Sequence, residues 1–197
     1  MCALIGYSGE YNELLIEKLL LNSRIRGVHS FGYSQYCEKE LVTKKFLDFE
    51  EFKRSINLDK PSKFIAHFRY STSGDFSNQE NNQPLQRGNV AMAFNGVISQ
   101  KSKQEIEAEY DTVLQGDNDG YLLIEKYTDQ DFVRKSNITF AAVGLKDGSL
   151  FAIRNSKRPL WYAETTGAKV YASTRDIFIR SGIDDCYRID SIKIHEQ

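Results

Sequence analysis

Met1-Cys2-Ala3-Leu4-Ile5-Gly6-Tyr7-Ser8-Gly9 opens the chain, and its reading decides the rest. Residues 2–7 are apolar and compact enough for a strand buried on both faces, with Gly6 and Gly9 marking close backbone approach or a turn. A cysteine directly behind the initiator methionine has a second meaning. Aminopeptidases that trim the initiator accept a small second side chain, so Cys2 can become the first residue and carry a thiol and a free α-amine together. A thiol of pKa ~8.5 beside an amine of pKa ~7.7–8.0 is a nearly matched nucleophile and base, needing no separate histidine. The competing meaning is an ordinary buried cysteine beginning a strand. Met-Cys alone does not separate the two.

At 197 residues and 41% hydrophobic content, the chain suits one domain over 1–197 with a core that needs no staples. Lysine and arginine number 26 against 27 acidic residues, so no basic excess favours nucleic acid or an anionic membrane. Cys2, Cys37 and Cys186 are odd in number and widely spaced, and His29, His67 and His195 form no ligand pattern with them, which predicts no metal site. No apolar run approaches the ~18–20 residues of a membrane span, and no secretion signal is recognisable. The expectation is a soluble, cytoplasmic protein.

The periodicities predict a helix over 14–24 on the core, with start chemistry at Ser8, Gly9 and Asn12, and strands over 27–36 and 40–46. A short helix follows at 49–56, then a strand at 63–70 and a long polar loop over 71–83, ended by Pro84. Residues 89–94 read as a strand entering the turn Asn95-Gly96, a dipeptide that signals a hairpin. Polar patches at 101–109 and 115–120 frame residues 110–114, and a helix is expected over 121–127, with Asp117 and Asp119 near its N-terminus. Strands at 138–145 and 150–154 flank the turn Lys146-Asp147-Gly148-Ser149. Further strands are predicted at 160–163, 169–172 and 187–194, with a helix over 174–182. Strands with helices before, between and after them indicate an α+β domain of two antiparallel sheets covered by helices.

Four further strings bear on the opening one: Arg26-Gly27-Val28-His29-Ser30-Phe31-Gly32, His67-Phe68-Arg69-Tyr70-Ser71-Thr72-Ser73-Gly74, Phe94-Asn95-Gly96-Val97 and Tyr171-Ala172-Ser173-Thr174-Arg175-Asp176. With Cys2, their order and spacing resemble the glutaminase domain of the class II glutamine amidotransferases, which belong to the N-terminal-nucleophile (Ntn) hydrolases. The resemblance runs from Cys2 to about Asp176. Each string alone is common; five in one order with a cysteine at position two are not. The resemblance implies a four-layer αββα sandwich, no cofactor, and L-glutamine as substrate.

It also implies roles. Cys2 would attack the side-chain amide, its α-amine would shuttle the proton, and Asn95 with the Gly96 backbone N–H would form the oxyanion hole. Arg69 would grip the α-carboxylate of glutamine, which suits the planar fork of a guanidinium, and Thr72 would add a hydroxyl contact. Arg26 would order the surroundings of the nucleophile. His67 and His29 receive no catalytic role. Family members hold the glutamine amine with an aspartate in a Ser-Asp-Thr-Glu-like string, from which this chain departs. Asp119 in Asn118-Asp119-Gly120-Tyr121 is preferred because a helix follows it directly; Asp111 and Asp117 remain alternatives. Asn82-Gln83-Pro84 loosely fits a polar family string that lines the substrate.

No phosphate-binding glycine-rich loop or dinucleotide fingerprint is present. The expected activity is a glutaminase that passes through a γ-glutamyl thioester and releases glutamate and ammonia, the ammonia going to a separate synthetase subunit. A stand-alone amidohydrolase of another γ-glutamyl compound and a catalytically silent glutamine-sensing module are the alternatives.

Overall fold

In a computed structural model, residues 2–56, 58, 62–71, 75–135, 137–155, 157–190 and 195–196 are described. The expected roles of Met1 and Thr72 fall outside them. The chain begins with β1 (Ala3–Gly9), α1 (Glu13–Arg24), β2 (Ser30–Cys37), β3 (Glu40–Phe46), α2 (Phe49–Ser55) and β4 (Ser62–Arg69). A 3-10 turn (Gln79–Asn81) leads to β5 (Leu85–Arg87), β6 (Val90–Val97), α3 (Lys103–Tyr110), α4 (Gly120–Lys126) and α5 (Gln130–Val133). The last third holds β7 (Thr139–Lys146), β8 (Ser149–Arg154), β9 (Trp161–Thr165), β10 (Ala168–Ala172), α6 (Arg175–Arg180), β11 (Tyr187–Arg188) and β12 (His195–Glu196).

Local chemistry sets several boundaries. The Asn12 side chain accepts from Leu15 N at 3.0 Å and starts α1, and Asp48 does the same for α2 through Glu51 N. Asp147 and Gly148 both have positive φ, 48° and 78°, the geometry a two-residue hairpin between β7 and β8 requires.

The strands form two antiparallel sheets, one of seven strands ordered β11-β9-β10-β1-β4-β2-β3 and one of five ordered β12-β8-β7-β6-β5. β1 is the middle strand of the larger sheet, paired to β10 on one side and β4 on the other. Its alternation assigns faces. Ala3, Ile5 and Tyr7 belong to a core shared with α1, α2 and α6, while Leu4 belongs to a core shared with the smaller sheet. A third core joins β6, β7 and β8 to α3, α4 and α5. Three apolar interfaces between four layers are the αββα sandwich. Leu4 and Ile5 are fully buried, each stabilising the native state by about 1.5–3 kcal/mol.

The structure differs from the sequence reading at several points. Asn95-Gly96 is not a hairpin turn: both lie inside β6, in register with Ala141 and Phe140 of β7. The polar patch at 101–109 is mostly helix α3, started by a reciprocal capping box between Ser102 and Glu105. Strand β5, helix α5 and the 3-10 turn are too short to show a periodicity. Of the edge strand expected over 187–194, residues 187–188 form β11, which pairs with β9, and residues 191–194 lie outside the described part of the chain; β12 beyond them pairs with β8 in the other sheet.

Candidate active site

The inward faces of the two sheets converge at one end of the sandwich. On β4, Phe64, Ala66 and Phe68 face the helices and Ile65 faces the other sheet, so His67 and Arg69 project between the sheets. On β6, Met92 and Phe94 face the helices and Ala91 and Ala93 the interior, so Asn95 also points inward. Cys2, two residues before Leu4, shares that parity. There they line a cleft of about 400 Å³ together with Arg26, Gly96 and Asp119. Cys2, Arg26, Arg69, Asn95, Gly96 and Asp119 are therefore in one place. Asp111 and Asp117 do not line it. A larger cavity of about 920 Å³ opens at the opposite end, between the β2–β3 and β7–β8 hairpins, and holds none of the residues singled out by sequence.

Cys2 is half-buried. Its Sγ accepts from Tyr70 N at 3.3 Å and lies 3.6 Å from Tyr70 O, and its carbonyl accepts from Asn95 Nδ2 at 3.2 Å. Asn95 Nδ2 carries two N–H groups, so one remains for a ligand. Gly96 is placed by the ladder. Phe140, its register partner, uses both backbone groups on Asn155, accepting from Asn155 N at 3.0 Å and donating to Asn155 Oδ1 at 3.2 Å. Because bonding alternates along an antiparallel pair, the Gly96 N–H points away from β7, toward the side of β6 that β5 leaves uncovered beyond Leu85. Two residues earlier on that side, Phe94 N donates to Gln83 Oε1 at 2.7 Å. Only glycine fits position 96: its φ is +155°, and a Cβ would lie 1.8 Å from the Thr139 carbonyl oxygen.

Arg69 ends β4, where its Nη1 donates to Asn82 Oδ1 at 2.6 Å and to Asn81 O at 3.2 Å. Burial lowers its pKa, with the neighbouring Cys2 thiol and Asp75 carboxylate acting in the opposite direction. Asn82 is fully buried, and its Nδ2 donates to Phe76 O and Gln79 Oε1, so it braces Arg69 from behind while Gln83 lines the cleft. That corrects the expectation that Asn82 itself lines the substrate. The Arg26-Gly27 string has a steric cause: a Cβ on Gly27 would sit 2.1 Å from Phe68 O, and His29 N donates to Arg69 O at 3.0 Å. The chain after α1 is thus pressed against the end of β4, which brings Arg26 to the cleft.

Asp119 stands at the start of α4, yet its side chain makes no cap hydrogen bond. Its Oδ2 instead accepts from Ile98 N at 2.8 Å and Ser99 N at 3.0 Å, tying α4 to the segment that leaves β6. Burial raises its pKa above the ordinary carboxylate value against these backbone N–H groups. His67 is 2% exposed; burial, with the Arg69 charge, lowers its pKa to about 3 against the Asn95 side chain, so the imidazole is neutral. His29 lies outside the cleft, stacked on Phe76 and accepting from Ser71 N at 2.9 Å.

Several lining residues escaped the sequence reading. Tyr70 contributes backbone, and Arg158-Pro159 comes from a loop with no motif. Asn118 and Thr174 sit inside quoted strings without an assigned role. Thr174 occupies the N-cap position of α6 without capping it, lines the cleft, and has a buried hydroxyl with no hydrogen-bond partner among the described residues.

Among solved structures, the chain matches glutamine phosphoribosylpyrophosphate amidotransferase from B. subtilis with a TM-score of 0.70 and 19% identity, covering all of this chain and 49% of that one. It matches the allosteric regulatory enzyme of purine biosynthesis with a TM-score of 0.72 and 21% identity, over 48% of that chain. The fold is that of a class II glutamine amidotransferase domain. A class II glutamine aminotransferase domain protein from Silicibacter pomeroyi matches over 98% of its length with a TM-score of 0.57 and 12% identity. This chain spans about half the length of the first two of these. No protein-family model matches, and no curated protein sequence does. Among the described residues no helix is long and apolar enough to cross a membrane, and no group of side chains could hold a metal ion.

Proposed function

We propose that the protein is a cysteine-dependent glutamine amidohydrolase that acts once Met1 has been removed. The observation that carries this reading is the convergence of the Cys2 thiol, the free N–H of Asn95 Nδ2 and the outward Gly96 N–H in one cleft with the Arg69 guanidinium. In the first step the Cys2 α-amine takes the thiol proton, and sulfur attacks the side-chain carbonyl carbon of glutamine. Negative charge gathers on the carbonyl oxygen, where Asn95 and Gly96 donate to it. The amine then returns the proton to the departing nitrogen, ammonia leaves, and a γ-glutamyl thioester remains. Water, deprotonated by the same amine, attacks the thioester and releases glutamate and the thiol. Arg69 pairs with the α-carboxylate and Asp119 with the α-ammonium, so the free amino acid is held by its two ionic ends. Ammonia passes to a separate acceptor enzyme.

The test is labelling with 6-diazo-5-oxo-L-norleucine, with the N-terminus verified by intact mass. One adduct on Cys2, slowed by glutamine, is expected. Protein lacking Met1 that forms no adduct and releases no glutamate from glutamine would overturn the proposal.

Asp119→Asn should raise KM for glutamine ~30-fold or more with a much smaller change in kcat, because it removes a buried charge from an ion pair. The asparagine oxygen can still accept from Ile98 N and Ser99 N, so the fold is kept. Since burial raises the Asp119 pKa, the wild-type carboxyl is protonated, and loses its charge, at a higher pH than an ordinary aspartate. KM should therefore rise as pH falls through that raised value, and the rise should be absent in Asp119→Asn. Steady-state glutamate release across pH checks both.

A further inference from the structure

His67 and Asn95 reach the cleft floor from opposite sheets, one from β4 and one from β6, both on inward-facing positions. Both imidazole nitrogens of His67 and the Oδ1 of Asn95 are buried without a fully formed hydrogen bond, while Asn95 Nδ2 is engaged on the Cys2 carbonyl. Unpartnered buried polar atoms are costly, about 1–3 kcal/mol each. Here a ring with one N–H to donate and an amide oxygen that lacks a donor line the same cleft. The Asn95 side chain and the Phe94 backbone are the hydrogen-bonding neighbours of the ring.

The problem this arrangement addresses is the symmetry of an asparagine side chain. Turned by 180° about its last torsion, the amide occupies the same space but presents oxygen where it presented N–H. In the oxyanion role proposed above, the turned amide would repel the developing charge. We infer that His67 is a positioning residue, whose neutral imidazole donates its N–H to Asn95 Oδ1 and so holds Asn95 Nδ2 toward Cys2 and the reacting amide. The inference rests on that reading of Asn95. It explains why the chain keeps a polar ring at a position where neighbouring inward residues, Leu4, Ile65 and Ala93, are apolar.

Two variants separate positioning from packing. His67→Phe keeps ring volume and loses the donor; His67→Gln keeps an N–H that can reach Asn95. His67→Phe should lower kcat for glutamate release ~30- to 300-fold, approaching the loss of an oxyanion donor, with KM for glutamine changed less than about threefold. His67→Gln should recover most of the rate. Unchanged kcat in His67→Phe, or a glutamine variant no better than the phenylalanine one, would overturn the inference. A measurement on the inactive-site chemistry alone guards against failed folding and against error in the proposed activity. In 15N NMR of the intact protein, His67 should show a neutral ring with a slowly exchanging N–H whose resonance moves on Asn95→Ala. A ring N–H indifferent to that substitution would overturn the inference whether or not the protein hydrolyses glutamine, whereas a coupled pair in a protein without glutaminase activity would leave the His67–Asn95 bond standing and remove only its catalytic use.

Discussion

Cys2→Ala should reduce glutamate release by more than about 10³-fold, as expected when the group forming the covalent intermediate is removed. The fold should be nearly indifferent. Cys2 precedes β1, its thiol is half-buried, and its sulfur hydrogen-bonds the Tyr70 backbone. A loss of about 1 kcal/mol or less corresponds to a shift of roughly 2–4 °C in thermal midpoint for a chain of this size. A residue retained ahead of Cys2, whether Met1 or a tag remnant, should cause a loss of the same order with the thiol still present. It converts the α-amine to an amide, which neither takes nor returns a proton at neutral pH. Assays of mature, Met-retaining and Cys2→Ala protein, with intact mass and thermal unfolding on each, test this directly. Activity in the Met-retaining form equal to that of the mature form would exclude the terminal amine as the base.

The second large effect belongs to Asn95. Asn95→Ala should lower kcat by about 10²–10³-fold, the usual cost of one oxyanion donor, with KM for glutamine little changed, because the contact strengthens only as charge builds on the substrate oxygen. It should also slow labelling by the diazo-ketone. The neighbouring glycine behaves differently. Gly96→Ala would drive a Cβ to 1.8 Å from the Thr139 carbonyl oxygen at a φ of +155°, so strand β6 would have to leave β7. That substitution should destabilise the protein by several kcal/mol, at the upper end for single replacements. Denaturant unfolding distinguishes them: Asn95→Ala loses turnover with only a modest fall in midpoint, set by its lost hydrogen bond to the Cys2 carbonyl, and Gly96→Ala loses both. An Asn95→Ala enzyme with wild-type kcat would remove the amide from the mechanism.

The cleft was legible in the sequence to an unusual degree because its residues sit on strand ends whose apolar alternation is plain. Cys2 precedes an unbroken buried run, and Arg69 and Asn95 each lie near the end of a strand with clear periodicity. Asp119 was singled out through the helix behind it and does line the cleft, although its carboxylate does something else locally. It accepts the N–H groups of Ile98 and Ser99 from a distant segment, which no local capping rule could anticipate. Asn82 shows the same limit. Its polarity reads as substrate-facing, but full burial and hydrogen bonds to Arg69, Phe76 and Gln79 make it a brace.

By itself the sequence determined the strand that carries Cys2, the helices with a clear 3.6-residue pattern, the β7–β8 hairpin at Asp147-Gly148, and the chemical types able to attack and hold an amide. Those features depend on neighbours along the chain: side-chain alternation, capping groups and residues that tolerate positive φ. Only the tertiary structure decided that Asn95-Gly96 continues a strand, because the β7 ladder and the diversion of Phe140 to Asn155 outweigh a two-residue turn preference. It also decided that β11 and β12 part to different sheets, and that His67 and Asn95 line one cleft. Each depends on which strand lies opposite, and side-chain parity along one strand carries no information about its partner across the sheets.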